Sequence, residues 1–161
     1  MPGGPMPKAC DRDDDFYART RHQAVVLREI PLTDSRFDHE HVLDKIEDLG
    51  KNARDAARSQ IHRIIELFLE VQHSPATPPR PVSMASINDA GRIHGDKLGG
   101  TLRRDIEARL AALWEAARYR AEWGTQEDGD AAAAPLFPVN CGCSFDRILQ
   151  RRWYPEPLET P

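Results

Sequence analysis

One apolar stripe constrains this chain more than any other feature. Val42, Ile46, Leu49, Ala53, Ala57, Ile61, Ile64, Phe68 and Val71 recur at a mean of about 3.6 residues per step, the α-helical period. The phase does not slip across Gly50, although a glycine there costs about 1 kcal/mol relative to alanine. A true break resets the register, so the spacing predicts one long helix over about 38–73, with a bend at Gly50 left open. Asp38 is a good cap for its start, and His73-Ser74-Pro75 ends it.

The same reasoning places the other helices. Asp13-Asp14-Asp15 puts acids at the positive end of a helix dipole, and Phe16, Thr20, Ala24, Leu27 and Ile30 follow on one face before Pro31 stops the run. Pro-Ala-Thr-Pro-Pro-Arg-Pro at 75–81 reads as a stiff, extended connector. A weaker helix is expected over 83–98, damaged by Gly91 and Gly95. A stronger one is expected over 102–123, with Thr101 as cap, Leu102, Ile106, Leu110, Leu113 and Ala117 as its stripe, Trp114 and Trp123 flanking it and Gly124 as its stop. Residues 125–134 read as a surface loop. Ser144 can cap a last short helix from Phe145 to Arg151. No segment alternates with period two, so no sheet is expected.

Composition narrows the function classes. No apolar run approaches the roughly 20 residues of a membrane-spanning helix. The stretch Met1 to Lys8 lacks an apolar core of secretory length, so a cytoplasmic setting is expected. Net charge is −4, which argues against a chain that mainly coats nucleic acid. Cys10, Cys141 and Cys143 are too few and too uneven for a disulfide framework. Cys141-Gly142-Cys143 is poorly spaced for an unstrained bridge, and a metal there would need two further ligands.

The candidate polar site is Asp44, Glu47 and Asp48, which lie at i, i+3 and i+4 and share one side of the long helix. Three carboxylates can hold a hard cation or do acid–base work. They can equally form a solvated acidic face, or Glu47 can be tied to an arginine from a neighbouring helix. A buried Glu47 in a polar cleft beside an arginine or histidine would favour the enzymatic alternative. His39 and His41 point about 200° apart around a helix axis, so capping and surface roles fit them better than one shared ion. Gly99-Gly100-Thr101 reads as a helix start, and Arg147, Arg151, Arg152 and Trp153 form a small basic and aromatic cluster. No nucleophile elbow, phosphate-binding glycine loop or dinucleotide fingerprint is present, and no catalytic residue, cofactor or metal is assigned.

Several short segments, taken in order, carry a resemblance. They are Asp15-Phe16-Tyr17, Ile46-Glu47-Asp48-Leu49-Gly50-Lys51, Ser59 leading into a helix that stops at Pro75, and Phe137-Pro138 before Ile148-Leu149 and Trp153-Tyr154-Pro155. Over about residues 13–157 the chain resembles the bacterial domain of unknown function 29 family. The resemblance implies an all-helical bacterial protein and brings no established activity. This chain departs from the family pattern at Arg19, in place of a tryptophan, and at Asp44-Lys45, in place of paired glutamates. Leu67-Phe68-Leu69-Glu70 replaces a His-Leu-Leu-Lys box, Met84 a later tryptophan and Gly91 an arginine. If those polar residues form a site in relatives, much of it is missing here.

The expected architecture is therefore all-α. Residues 1–12 form a flexible leader, and residues 13–157 a single helical bundle with one long central helix and a short C-terminal helix. Its expected core is Phe16, Leu27, Ile46, Leu49, Ile61, Ile64, Phe68, Leu110, Leu113 and Trp114. The expected role is protein–protein interaction or scaffolding, with an unknown protein partner or a second copy of the chain. The alternative is a metal- or nucleic-acid-acting enzyme using the acidic face of the long helix.

Overall fold

The computed structural model describes residues 15–31, 36–73, 85–88, 98–127, 137–150 and 152–155. Those residues form helices and no strand. The leader, the proline-rich connector, Cys10 and most of the 83–98 helix lie outside them; of that helix, residues 85–88 are helical and Ile87 is buried.

The helix starts follow the caps. In α1 (Phe16–Glu29) the Asp15 carboxylate accepts the Ala18 N–H at 2.9 Å. In α2 (His39–His73) the Asp38 carboxylate accepts the His41 N–H at 3.1 Å. The 35 residues of α2 run without interruption through Gly50 and span about 52 Å at 1.5 Å per residue. The predicted 102–123 helix is two pieces, α3 (Gly100–Glu107) and α4 (Leu110–Glu127), joined by a turn at Ala108 and Arg109. That turn lets α3 contact α1 while α4 lies along α2. Gly124 does not stop α4, because a helical glycine costs only about 1 kcal/mol. The last helix, α5 (Phe145–Leu149), is capped by the Ser144 hydroxyl and ends two residues before the expected Arg151.

The core gathers around the second half of α2. Ile64 through Leu69 are six consecutive buried residues, so this stretch is covered on every side instead of along one stripe. Leu102, Ile106, Trp114, Ala117, Phe137, Phe145 and Ile148 close over it. Trp114 donates its ring N–H to the Pro138 carbonyl at 3.0 Å, and Trp153 meets Phe68 edge-on at 5.3 Å between centroids. Polar ties fasten the periphery: Arg58 to Asp105 at 2.7 Å, Arg103 to Asp146, and the Arg152 N–H to the Asn88 side chain at 3.1 Å.

Of the ten residues expected in the core, Ile61, Ile64, Phe68 and Trp114 are buried, while Leu27, Ile46, Leu110 and Leu113 are half-buried. Phe16 and Leu49 are corrections, at 44% and 53% exposed. Across the first half of α2 lies α1, seated over the buried Gly50 one position round from Leu49. Leu49 therefore faces outward, and α1 packs through Thr20 and Ala24 instead of Phe16. Trp123, expected beside the α4 stripe, is also exposed.

His73 closes α2 inside the core at 8% exposure. Its ring stands edge-on to Phe137, 5.4 Å between centroids, and among the described residues neither ring nitrogen has a hydrogen-bond partner. Burial without a partner pushes its pKa down, so the folded chain holds it neutral. The unfolded chain takes up a proton near the ordinary histidine value of 6.5 while the folded chain resists. Stability from this residue is present above that value and lost as pH falls below it. Urea midpoints should drop between about pH 7.5 and pH 5.5 in the wild type, and His73→Phe should flatten that drop. Equal slopes for the two proteins would contradict the assignment.

Candidate functional site

The closest approach of α1 and α2 is made by small side chains. The Thr20 hydroxyl donates to the Tyr17 carbonyl at 2.9 Å and is turned inward against Gly50. A Cβ added at Gly50 would stand 2.6 Å from the Thr20 Oγ1, so only glycine admits this approach without a shift. Where the sequence presents Gly50 as a cost within a helix, the fold uses it as a seat for α1.

Beside that contact lies a cleft of about 410 Å³. Its α1 wall is Tyr17, Thr20, Arg21, Ala24, Val25 and Arg28, spaced at i, i+3, i+4, i+7, i+8 and i+11. Its α2 wall is Glu47, Gly50, Lys51 and Arg54, at i, i+3, i+4 and i+7. Thr20, Ala24 and Gly50 are buried and form an apolar, close-packed floor. Four cations line the opening against the single carboxylate of Glu47, on a chain whose net charge is −4.

The cations are engaged by exposed or half-exposed partners. Arg28 pairs with Glu47, Lys51 lies 3.9 Å from Glu47 and 3.6 Å from Asp48, and Arg54 bonds Asp55 at 2.9 Å. Arg21 sits over the Tyr17 ring at 5.9 Å. The Asp55 hydrogen bond raises the Arg54 pKa and, from the other side, holds the Asp55 carboxyl below its usual value. Exposed pairs of this kind are worth about 0–1 kcal/mol each, so a carboxylate brought by a ligand exchanges with them at little cost.

The sequence-predicted acidic trio divides. Glu47 enters the cleft with its side chain 26% exposed, tied to Arg28 across the helix pair. Asp48 is exposed and pairs with Lys51, and Asp44 is exposed with no ion pair among the described residues. Among the described residues, no group of three histidine, cysteine, aspartate or glutamate side chains is placed to hold a metal ion. His39 and His41 serve different ends: the His39 ring nitrogen bonds the Leu27 carbonyl at 2.6 Å, and the His41 N–H receives the Asp38 cap. In the C-terminal cluster, Arg147 lies over the Trp153 ring at 5.8 Å, and that ring is itself packed against Phe68; Arg151 is outside the described residues.

The Gly99-Gly100-Thr101 turn does start a helix, but its cap comes from another element. The second oxygen of Asp15 accepts the Thr101 N–H at 2.8 Å, so one carboxylate caps both α1 and α3. Burial pushes the Asp15 carboxyl up, yet the N–H groups of Ala18 and Thr101, the Thr101 hydroxyl and nearby Arg104 outweigh it and hold the carboxyl below its ordinary value. Sequence reasoning missed the four cleft cations. Their helical spacing was present in the residues, but nothing local says that the two faces meet.

The family model for the domain of unknown function DUF29 matches residues 12–154, nearly the whole chain. A crystal structure of an α-helical protein of unknown function from Rhodospirillum rubrum superposes with a TM-score of 0.74 at 20% identity, covering 88% of this chain and 90% of that one. That likeness carries the fold alone. Among curated proteins, none is similar enough to count as a relative. No described helix is long and apolar enough to cross a membrane.

Proposed function

The chain belongs to the DUF29 family, and from the α1–α2 cleft we propose that it is a non-enzymatic protein-interaction module whose partner presents an acidic, partly apolar segment. The observation that carries this reading is the imbalance of four cations to one carboxylate around an apolar floor, on a chain that is otherwise net acidic. Complementary charge steers such a partner in, and apolar contact with Val25 retains it. Val25, half exposed at the cleft, is free to be covered. Three unevenly placed cysteines, too few for a disulfide framework, support a cytoplasmic setting.

A fluorescein-labelled peptide of alternating glutamate and leucine is a suitable probe. Anisotropy titrations should show saturable binding that weakens with salt and falls at least about tenfold, or 1.4 kcal/mol, in the Arg21→Glu/Arg54→Glu variant. Glu47→Gln removes the one carboxylate that lines the cleft and should tighten binding. Probe affinity unmoved by the charge reversal would end this reading.

One observation favours a second reading. Glu47 is largely covered, in a cleft beside Arg28, as an acid–base residue would be. That reading predicts that Glu47→Gln abolishes hydrolysis of bis-p-nitrophenyl phosphate in magnesium buffer and leaves peptide binding unchanged. Light scattering across a concentration series separates a second copy of the chain from a foreign partner.

A further inference from the structure

Cys141 and Cys143 flank Gly142 in the irregular segment between Pro138 and the Ser144 cap of α5. Their sulfurs lie 3.7 Å apart, and the Cys141 thiol also donates to the Cys143 carbonyl at 3.0 Å. Both are free thiols, half-buried against the edge of the core. Gly142 between them is exposed, and a Cβ there would meet nothing within 4 Å, so the segment has room to adjust. A disulfide needs sulfurs about 2.05 Å apart, which leaves an approach of about 1.7 Å from the observed separation. One intervening residue does not favour relaxed bridge geometry, and strained bridges sit at more oxidising potentials and reopen readily. The spacing therefore suits a bond that forms and breaks more than one that braces the fold.

We propose that Cys141 and Cys143 form a redox-active dithiol that exchanges with the disulfides of small thiols, of the glutathione disulfide class. A hydrogen bond from the Cys143 thiol lowers the Cys141 pKa, while that same bond, burial and then the charge on Cys141 push Cys143 up, so Cys141 ionises first. The Cys141 thiolate attacks one sulfur of the small disulfide; that S–S bond breaks, and one thiol leaves with the proton that Cys141 gave up. With Cys141 in the mixed disulfide, the thiolate that accepted the Cys143 hydrogen bond, and with it the charge that opposed ionisation, is gone. Cys143 then loses its proton and attacks the Cys141 sulfur, the mixed bond breaks, and the second thiol departs with that proton. Two electrons and two protons pass from the protein dithiol to the small disulfide.

The test uses the full chain carrying Cys10→Ser, so that only this pair can react. After glutathione disulfide treatment, acid quench and alkylation of free thiols, peptide mass mapping should find 141–143 bridged, with two hydrogens lost. Excess glutathione should restore them. With Cys143→Ser added, a glutathione adduct should accumulate at Cys141. With Cys141→Ser instead, the initial reaction should be about tenfold slower, because burial still pushes Cys143 up and no neighbouring thiol donates a hydrogen bond that lowers it as Cys143 does for Cys141. A chain that stays reduced in excess glutathione disulfide, or that accumulates the mixed disulfide with both cysteines present, overturns the proposal. The bridging assay on the parent chain decides the matter even where a second cysteine substitution impairs folding. This result is independent of the peptide-binding reading.

Discussion

Ile64→Ala should destabilise the fold by about 2–5 kcal/mol, the range for removing a large aliphatic side chain from a closed core. Ile64 has no exposed surface and lies in the stretch of α2 that is covered on every side. Truncation there forfeits transfer energy and leaves a cavity that neighbours such as Ile61, Ile65 and Phe68 only partly fill. For a chain of this length each kcal/mol moves the melting temperature by about 2–4 °C, so a fall of about 4–20 °C is expected. Leu49→Ala, from the same apolar stripe, should change stability by no more than about 0.5 kcal/mol, since that side chain is already half in water. Calorimetry of the two variants checks the contrast, and equal losses would contradict the assigned packing.

Gly99→Ala should cost about 2–4 kcal/mol, from overpacking together with a lost cap. A Cβ at Gly99 would stand 2.4 Å from the Asp15 Cγ and 2.8 Å from its Cα. The second contact is with backbone, so no side-chain rotation relieves it. The start of α3 must move off Asp15, and the 2.8 Å bond to the Thr101 N–H goes with it. Gly100→Ala supplies the control one residue away. Nothing lies within 4 Å of its added Cβ, and alanine is the better helix former by about 0.5–1 kcal/mol, so that variant should be neutral or more stable. Opposite signs from adjacent glycines, read as urea midpoints, are the expected result. Matching signs would contradict the close approach.

These two contrasts mark what the residues alone disclose. Helix starts at Asp15, Asp38 and Ser144 were legible because a cap is a local arrangement of side chain and following N–H groups. The long helix was legible because nine apolar residues hold one period through Gly50. Which part of that stripe would be covered was not, because burial depends on what packs across it. Leu49 and Ile64 are equivalent in pattern and opposite in exposure. Nor could the run Ile64 to Leu69, read as one stripe, show coverage on all sides until α4, α5 and Phe137 were in place. The glycines mislead for the same reason: local propensity counts Gly50 as a cost and Gly99 as mere punctuation before a helix, while their use depends on Thr20 and Asp15 arriving from elsewhere in the chain. The α3 cap is the extreme case, an acceptor 86 residues distant from the N–H that it satisfies.

The candidate site follows that division. Spacing alone singles out Glu47 and allows it an arginine partner on a neighbouring helix; Arg28 is that partner. The cationic character of the cleft arises because two ordinary surfaces, one on each helix, are laid side by side. Resonance mapping of the isotope-labelled chain during titration with the glutamate–leucine peptide tests this central claim most directly. The account predicts shifts concentrated at Tyr17, Arg21, Val25, Arg28, Lys51 and Arg54, with the backbone around Cys141 to Phe145 unmoved. Shifts clustered away from α1 and the first half of α2, or no saturable shift at all, would contradict it.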